Sequence, residues 1–230
     1  MNINAIILAR GGSKGIKNKN IISFCRFPLI FWTINQCLKT SAIDDVWVSS
    51  DSKEILNLSK KYGAKTLLRP KELSLDTSSS EEAWIHAINY IEKKTNKTLD
   101  YIVAPQITSP LREPNDFSKA IKSIIKFEAD SLLSVCKIKD FFIWQKVNKK
   151  LQSVNYNFND RKPRQQIKSK YLENGSFYIF KPEIIKKFKN RLGGTIIKFE
   201  MARHKMFQID EHEDITFCEK LMISYNLDKL

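Results

Sequence analysis

Arg10-Gly11-Gly12-Ser13-Lys14-Gly15, followed by Lys17-Asn18-Lys19-Asn20, is the stretch of this 230-residue chain best equipped for chemistry. Three glycines within five positions let the backbone turn sharply and come close to a ligand, because no side chain blocks the approach. Ser13 adds a hydroxyl, and Arg10, Lys14, Lys17 and Lys19 surround that backbone with positive charge. The predicted ligand is a polyphosphate. Two better-known phosphate loops are excluded. A Walker A loop needs Gly-x-x-x-x-Gly-Lys-Ser/Thr, whereas Gly11 to Gly15 encloses too few residues and Ile16 stands where the lysine should be. The glycines fall as Gly-Gly-x-x-Gly, which is not the dinucleotide fingerprint Gly-x-Gly-x-x-Gly.

Two further loops share these properties. Pro105-Gln106-Ile107-Thr108-Ser109-Pro110-Leu111-Arg112 follows directly on a buried-strand pattern at 101–104, and in open α/β sheets ligands lie beyond the carboxyl ends of strands. The glycine loop and this one should therefore border one crevice. The polar run from Leu75 to Glu82 leads into a helix expected over 81–93, with Ser78 and Glu81 at capping-box spacing. Hydroxyls and free amides at that helix start can face a base or a phosphate.

These loops need a scaffold, and the periodicities supply one. Apolar strand patterns at 6–9, 45–51, 65–70, 101–104 and 131–136 alternate with helical patterns at 28–38, 52–62, 81–93 and 114–126. A core strand at 174–180, a helix from Pro182, an edge strand at 195–199 and a closing helix over 213–225 follow. The fold class read from this is α/β, a Rossmann-like, mostly parallel sheet flanked by helices, in a single domain over 1–230. Between 139 and 170 the pattern changes to aromatics, amides and cations, read as an inserted excursion of extended segments that packs on another subunit.

At 42% hydrophobic residues the chain has enough apolar content for a substantial core. An excess of 39 Lys+Arg over 25 Asp+Glu gives +14 and favours anionic partners, but the cations are scattered and identify none. Cys25, Cys37, Cys136 and Cys218 show no metal or disulfide spacing and read as buried thiols of a reducing compartment. The amino terminus lacks a signal-peptide pattern, and no apolar run approaches the ~20 residues that span a bilayer, so a cytoplasmic protein without membrane attachment is expected. His86, His204 and His212 lack the spaced partners of a nucleophile pair.

The stretch from Leu8 to Ile21 closely resembles the opening motif of the acylneuraminate cytidylyltransferases, the CMP-sialic acid synthetase family. The resemblance continues in order through Leu68-Arg69-Pro70, Asp76-Thr77 with its serines, Gln106 to Arg112, Pro163-Arg164-Gln165-Gln166, Asn174-Gly175-Ser176-Phe177-Tyr178 and Ile209-Asp210. It implies a CTP-dependent transfer. The anomeric hydroxyl of a nonulosonic, sialic-acid-like sugar attacks the α-phosphate of CTP, releasing pyrophosphate and forming a CMP-sugar. Such a reaction asks the protein mainly to position reactants and offset charge.

Carried over residue by residue, the resemblance implies that Arg10, Lys14 and Asp210 are catalytic. Arg10, Gly11, Gly12, Ser13, Asn20, Arg69 and Ser80 would hold the nucleotide, and Gln106, Arg164, Asn174 and Tyr178 would face the nine-carbon sugar acid. Asp210 would bind Mg²⁺, with Asp214 ranked second, since Mg²⁺ takes hard oxygen ligands. A homodimer is inherited from the same source. Two departures stand out: the usual Asp-Ile-Asp appears as Gln208-Ile209-Asp210, and Trp144 replaces a lysine of the sialic acid-specific members. The second shifts weight from N-acetylneuraminate toward legionaminic or pseudaminic acid. The nearer rivals are a CMP-Kdo synthetase or a sugar 1-phosphate nucleotidyltransferase on the same fold. A basic nucleic-acid-binding protein is the rival from another class, weakened by the absence of any RNA-binding signature.

Overall fold

The computed structural model describes residues 1–12, 15–139 and 141–229, and of Arg164 the backbone alone. At its centre β1 (Ile3–Leu8) is buried over its first five residues, because helices cover both faces of the sheet; that is why it reads as an unbroken apolar run. A two-residue ladder of β2 (Ser23–Phe24) and β3 (Phe27–Pro28) leads into α1 (Leu29–Leu38). Pro28 was expected inside the first helical turn; it lies one residue before it, held by pairing with Ser23.

The chain continues through β4 (Asp45–Ser50), α2 (Lys53–Lys61), β5 (Lys65–Leu68), α3 (Ser80–Thr95), β6 (Tyr101–Pro105), α4 (Pro114–Lys126) and β7 (Ser131–Ile138). A separate hairpin of β8 (Trp144–Val147) and β9 (Lys150–Ser153) occupies the predicted excursion. Then come β10 (Lys170–Phe180), α5 (Pro182–Phe188), β11 (Ile196–Met201) and α6 (His212–Ser224). The seven-stranded sheet has the order β11-β7-β10-β6-β1-β4-β5, and β10 alone runs antiparallel to its neighbours.

Two apolar clusters sandwich the sheet. Trp32, Ile55, Phe117 and Cys218 bring α1, α2, α4 and α6 onto one face, while Trp84, Ile88 and Ile185 bring α3 and α5 onto the other. The buried indoles keep their N–H groups satisfied: Trp84 Nε1 donates to the Ile6 carbonyl at 3.3 Å and Trp32 Nε1 to that of Phe24 at 2.9 Å. The hairpin carries its own aromatic cluster, with Phe142 against Tyr156 at 4.4 Å and Trp144 against Phe158 at 5.4 Å, and leaves Trp144 43% and Leu151 70% exposed. Among the described residues no helix is long and apolar enough to cross a membrane, and the four cysteines are buried free thiols.

Candidate active site

β1 has β4 on one side and β6 on the other, so the chain winds away from it in both directions and the loops after β1 and β6 part. Such a switch point opens a crevice at the carboxyl ends of the strands. A cleft of about 410 Å³ lies there, and Arg10, Lys19, Asn20, Arg69, Ser80 and Gln106 are among its lining. Five of these six were expected at the site from sequence.

Each is positioned by local chemistry. Asn18 adopts the left-handed conformation at φ +54°, which asparagine tolerates, and so turns the chain into the 3₁₀ turn Lys19–Ile21. The next-but-one residue, Asn20, is thereby buried and donates from Nδ2 to the Arg10 carbonyl at 2.9 Å, tying the two ends of the glycine loop. Gly11 N–H donates to Asp51 Oδ1 at 2.9 Å, and a Cβ at Gly11 would come 3.1 Å from Ser52 Cβ. Gly12 faces open space. Gly15 matters more: a Cβ there would lie 2.8 Å from the Asp210 carbonyl oxygen, so only glycine lets the loop press against the segment bearing Asp210. Ser13 and Lys14 lie outside the described residues.

The cleft is strongly cationic. Arg10 Nη1 pairs with Asp76 at 2.7 Å across its mouth. Arg69 is 4% exposed, donates from Nε to Ser74 Oγ at 2.9 Å, and is held below the usual guanidinium range by its burial. Ser80 opens α3, and the cap is Ser79, whose Oγ accepts from Glu82 N at 3.2 Å while Glu82 returns to Ser79 N at 3.3 Å. The cap expected at Ser78 and Glu81 thus falls one residue later, and Ser78 Oγ instead donates to the Glu72 carbonyl at 2.6 Å.

Lys19 was read from sequence only as one of the surrounding cations. Its Nζ reaches the Ile209 carbonyl at 3.1 Å, the Asp210 carbonyl at 3.3 Å and Asp210 Oδ1 at 2.9 Å. Gln106 is placed by Arg112, whose buried Nη1 donates to the Gln106, Ser109 and Ser176 carbonyls at 2.8, 2.8 and 2.9 Å. The proline-bounded loop ending on an arginine was the only sequence signal for that role.

The structure does not bring all expected residues to the cleft. Asn174 is 1% exposed, with Oδ1 accepting from Ser134 Oγ at 2.7 Å and Nδ2 donating to the Lys205 carbonyl at 3.0 Å. Tyr178 lies in the other apolar cluster, donates its hydroxyl to Glu173, and is pushed up in pKa by burial and by that carboxylate. A strand irregularity between Glu173 and Tyr178 separates the two, a feature that strand periodicity cannot anticipate. The Arg164 backbone forms a 3₁₀ turn, Arg164–Gln166, and its side chain lies outside the described residues.

Of the two aspartates in the acidic segment, Asp210 is the open one. Asp210 is 65% exposed on its side chain, whereas Asp214 Oδ2 accepts from the Asp210 and Glu211 amides at 2.9 and 2.8 Å, capping α6. Those two backbone bonds also depress its pKa. Gln208 Oε1 accepts from Thr108 Oγ1 at 3.4 Å and its Nε2 donates to the Asn174 carbonyl at 3.0 Å. Among the described residues no three His, Cys, Asp or Glu side chains gather as a metal cluster. This set fits Mg²⁺ bound through one carboxylate with the remaining oxygens drawn from a phosphate ligand and water.

Comparison with known proteins shows the family and the fold. The cytidylyltransferase family profile matches residues 4–228. N-acylneuraminate cytidylyltransferase A of Danio rerio is 34% identical over 227 residues, covering 97% of this chain and 51% of the relative, so the chain spans about half the length of such relatives. Pseudaminic acid cytidylyltransferase of Campylobacter jejuni is 31% identical over 225 residues, covering 94% of both chains. In fold, a CMP:2-keto-3-deoxy-manno-octonic acid synthetase solved with CTP superposes with a TM-score of 0.73 over 98% of this chain and 100% of that one, at 14% identity.

Proposed function

This chain belongs to the cytidylyltransferase family, and from that premise we propose that it transfers CMP from CTP to the anomeric hydroxyl of a nonulosonic acid. The observation that carries the reading is the convergence of Arg10, Lys19, Asn20, Arg69, Ser80 and Gln106 on one cleft at the ends of β1 and β6. Arg10, Lys19 and Arg69 neutralise the triphosphate, and Ser13 and Lys14 keep the nucleotide-binding role that the sequence motif implies. Ser80, at the amino end of α3, meets the cytidine side. The sugar enters from the Gln106 side, with the Arg164 guanidinium receiving its carboxylate.

The sugar hydroxyl oxygen then bonds to the α-phosphorus as its proton passes to solvent, the bond to the bridging oxygen breaks and pyrophosphate leaves. Asp210 is the protein ligand of a Mg²⁺ ion, which when bound neutralises charge on the phosphates. Asp214 holds the Asp210 amide, so it orients that ligand through the backbone. The buried free thiols fit a cytoplasmic setting. A second copy of the chain covers Phe141, Ile143, Trp144 and Leu151, which the β8–β9 hairpin and its approach leave exposed.

The test is pyrophosphate release from CTP and Mg²⁺ with N-acetylneuraminic, legionaminic, pseudaminic and Kdo acids, with mass detection of the CMP-sugar. Turnover with one of the nine-carbon acids is the expected result. Turnover with Kdo alone would move the enzyme to that neighbouring class, and protein that binds no CTP would remove the reading altogether.

A further inference from the structure

We propose that Lys19 is a counter-ion shared between Asp210 and the nucleotide, so that the divalent cation joins the site as the triphosphate draws Lys19 away. This rests on the nucleotide-transfer reading above. Lys19 lines the same cleft as Arg10 and Arg69, which puts its ammonium where phosphates would bind. All three of its donors have oxygen acceptors on one short segment: the Ile209 carbonyl, the Asp210 carbonyl and Asp210 Oδ1 at 2.9 Å. The Lys19 side chain is 13% exposed and that of Asp210 65%, so the ammonium is sheltered while the carboxylate faces solvent.

The consequence falls on Asp210. A carboxylate already neutralised by an ammonium is a poor cation ligand, and a metal beside it would also meet the like charge of Lys19. Two of its neighbours are already engaged, Asp214 Oδ2 by two backbone amides and Gln208 at both ends by Thr108 and Asn174. A polyphosphate offers the ammonium more acceptor oxygens than one carboxylate does. Once Lys19 turns to it, the freed Asp210 carboxylate and the phosphate oxygens form the hard-oxygen set that Mg²⁺ takes. Gly15 lies against the Asp210 backbone, so the exchange takes place between groups already held close together. Nucleotide and metal therefore raise each other's affinity, as linkage requires.

The decisive measurement is Mn²⁺ titration of the nucleotide-free protein, with free Mn²⁺ read by electron paramagnetic resonance. Lys19→Gln leaves Asp210 uncompensated and should bind Mn²⁺ at least about 5-fold tighter than wild type. Lys19→Arg keeps the charge and should not, and adding Asp210→Asn to the glutamine variant should abolish the gain. A folded glutamine variant with wild-type Mn²⁺ affinity, or a gain that survives Asp210→Asn, would overturn the proposal. Calorimetry of the wild type needs no change at position 19: Mg²⁺ should bind the CTP complex at least about tenfold tighter than the free protein, and equal affinities would overturn the exchange. If the wild type binds no CTP, the nucleotide-transfer reading fails, and the Mn²⁺ titration still reports separately on the Lys19–Asp210 pairing.

Discussion

Asn174 and Tyr178 stand four residues apart on β10, yet their side chains belong to opposite faces of the sheet. Asn174 packs with Cys136 and Met201 in the cluster under α1 and α4, while Tyr178 lies beside Trp84 and Phe180 under α3. Regular alternation would put both on one face. The register shift between Glu173 and Tyr178 accounts for the reversal, and Gly175 within it has φ +60°. A Cβ there would also come 2.7 Å from Gln208 Nε2, so relieving it would cost the bond to the Asn174 carbonyl on top of the backbone strain. Gly175→Ala should therefore destabilise the protein by about 1–2 kcal/mol, read from the urea midpoint. A variant with an unchanged midpoint would show that the irregularity does not depend on glycine.

Arg112 should be a larger determinant of stability than any cation in the cleft. Its guanidinium is 1% exposed, donates to three carbonyls and to Thr33 Oγ1 at 2.6 Å, and lies 5.5 Å from the Phe117 ring centre. Burial lowers its pKa to about 10, which leaves it charged at neutral pH. Arg112→Met would strand these acceptors, each costing roughly 1–3 kcal/mol, for a total above about 3 kcal/mol. Arg112→Lys should rescue little, since an ammonium lacks the planar fork that reaches them together. Urea unfolding of both variants tests this, and a fully stable lysine variant would show that charge alone suffices.

Much of this architecture was legible because burial on both sides of a parallel sheet writes itself as apolar runs, as at β1 and β6, and because glycine and asparagine mark tight turns. The direction of β10 was not, since an apolar strand reads the same whether its neighbours are parallel or antiparallel. Lys19 was visible as a cation, but its partner Asp210 lies 191 positions away and no local pattern encodes that meeting. Asn174 looked like a ligand by motif, whereas only packing reveals that its amide is consumed by Ser134 and Lys205. The cap lies at Ser79 and not Ser78, a one-residue difference among consecutive serines that composition does not resolve.

Acid should loosen α6 through Asp214. Hydrogen bonds from the Glu211 and Asp210 amides hold its carboxyl below the usual aspartate range. A depressed folded pKa contributes stability that is fully present above the unfolded value of about 3.9 and is lost as pH falls through the folded value. Asp214→Ala should therefore cost about 0.5–1 kcal/mol at neutral pH and nothing further in acid. Thermal unfolding from pH 7 down to about pH 3 tests the sign: the gap between wild type and variant should close as pH falls. A gap that widened in acid would mean that Asp214 acts through its neutral form.

Arg10 separates catalysis from folding. Its side chain pairs with Asp76 at 2.7 Å, with the two side chains 37% and 49% exposed, and so open a pair contributes little to stability. Arg10→Ala should leave the unfolding midpoint within about 0.5 kcal/mol of wild type. In the proposed reaction, however, the freed guanidinium meets charge that builds on the phosphates, and its loss should cut turnover by roughly 10²-fold or more. Pyrophosphate release under saturating CTP reads the turnover, and calorimetry reads CTP binding. A variant that keeps normal turnover would take Arg10 out of the reaction, and one that loses only CTP affinity would make it a binding group whose contact is equal in ground and transition states.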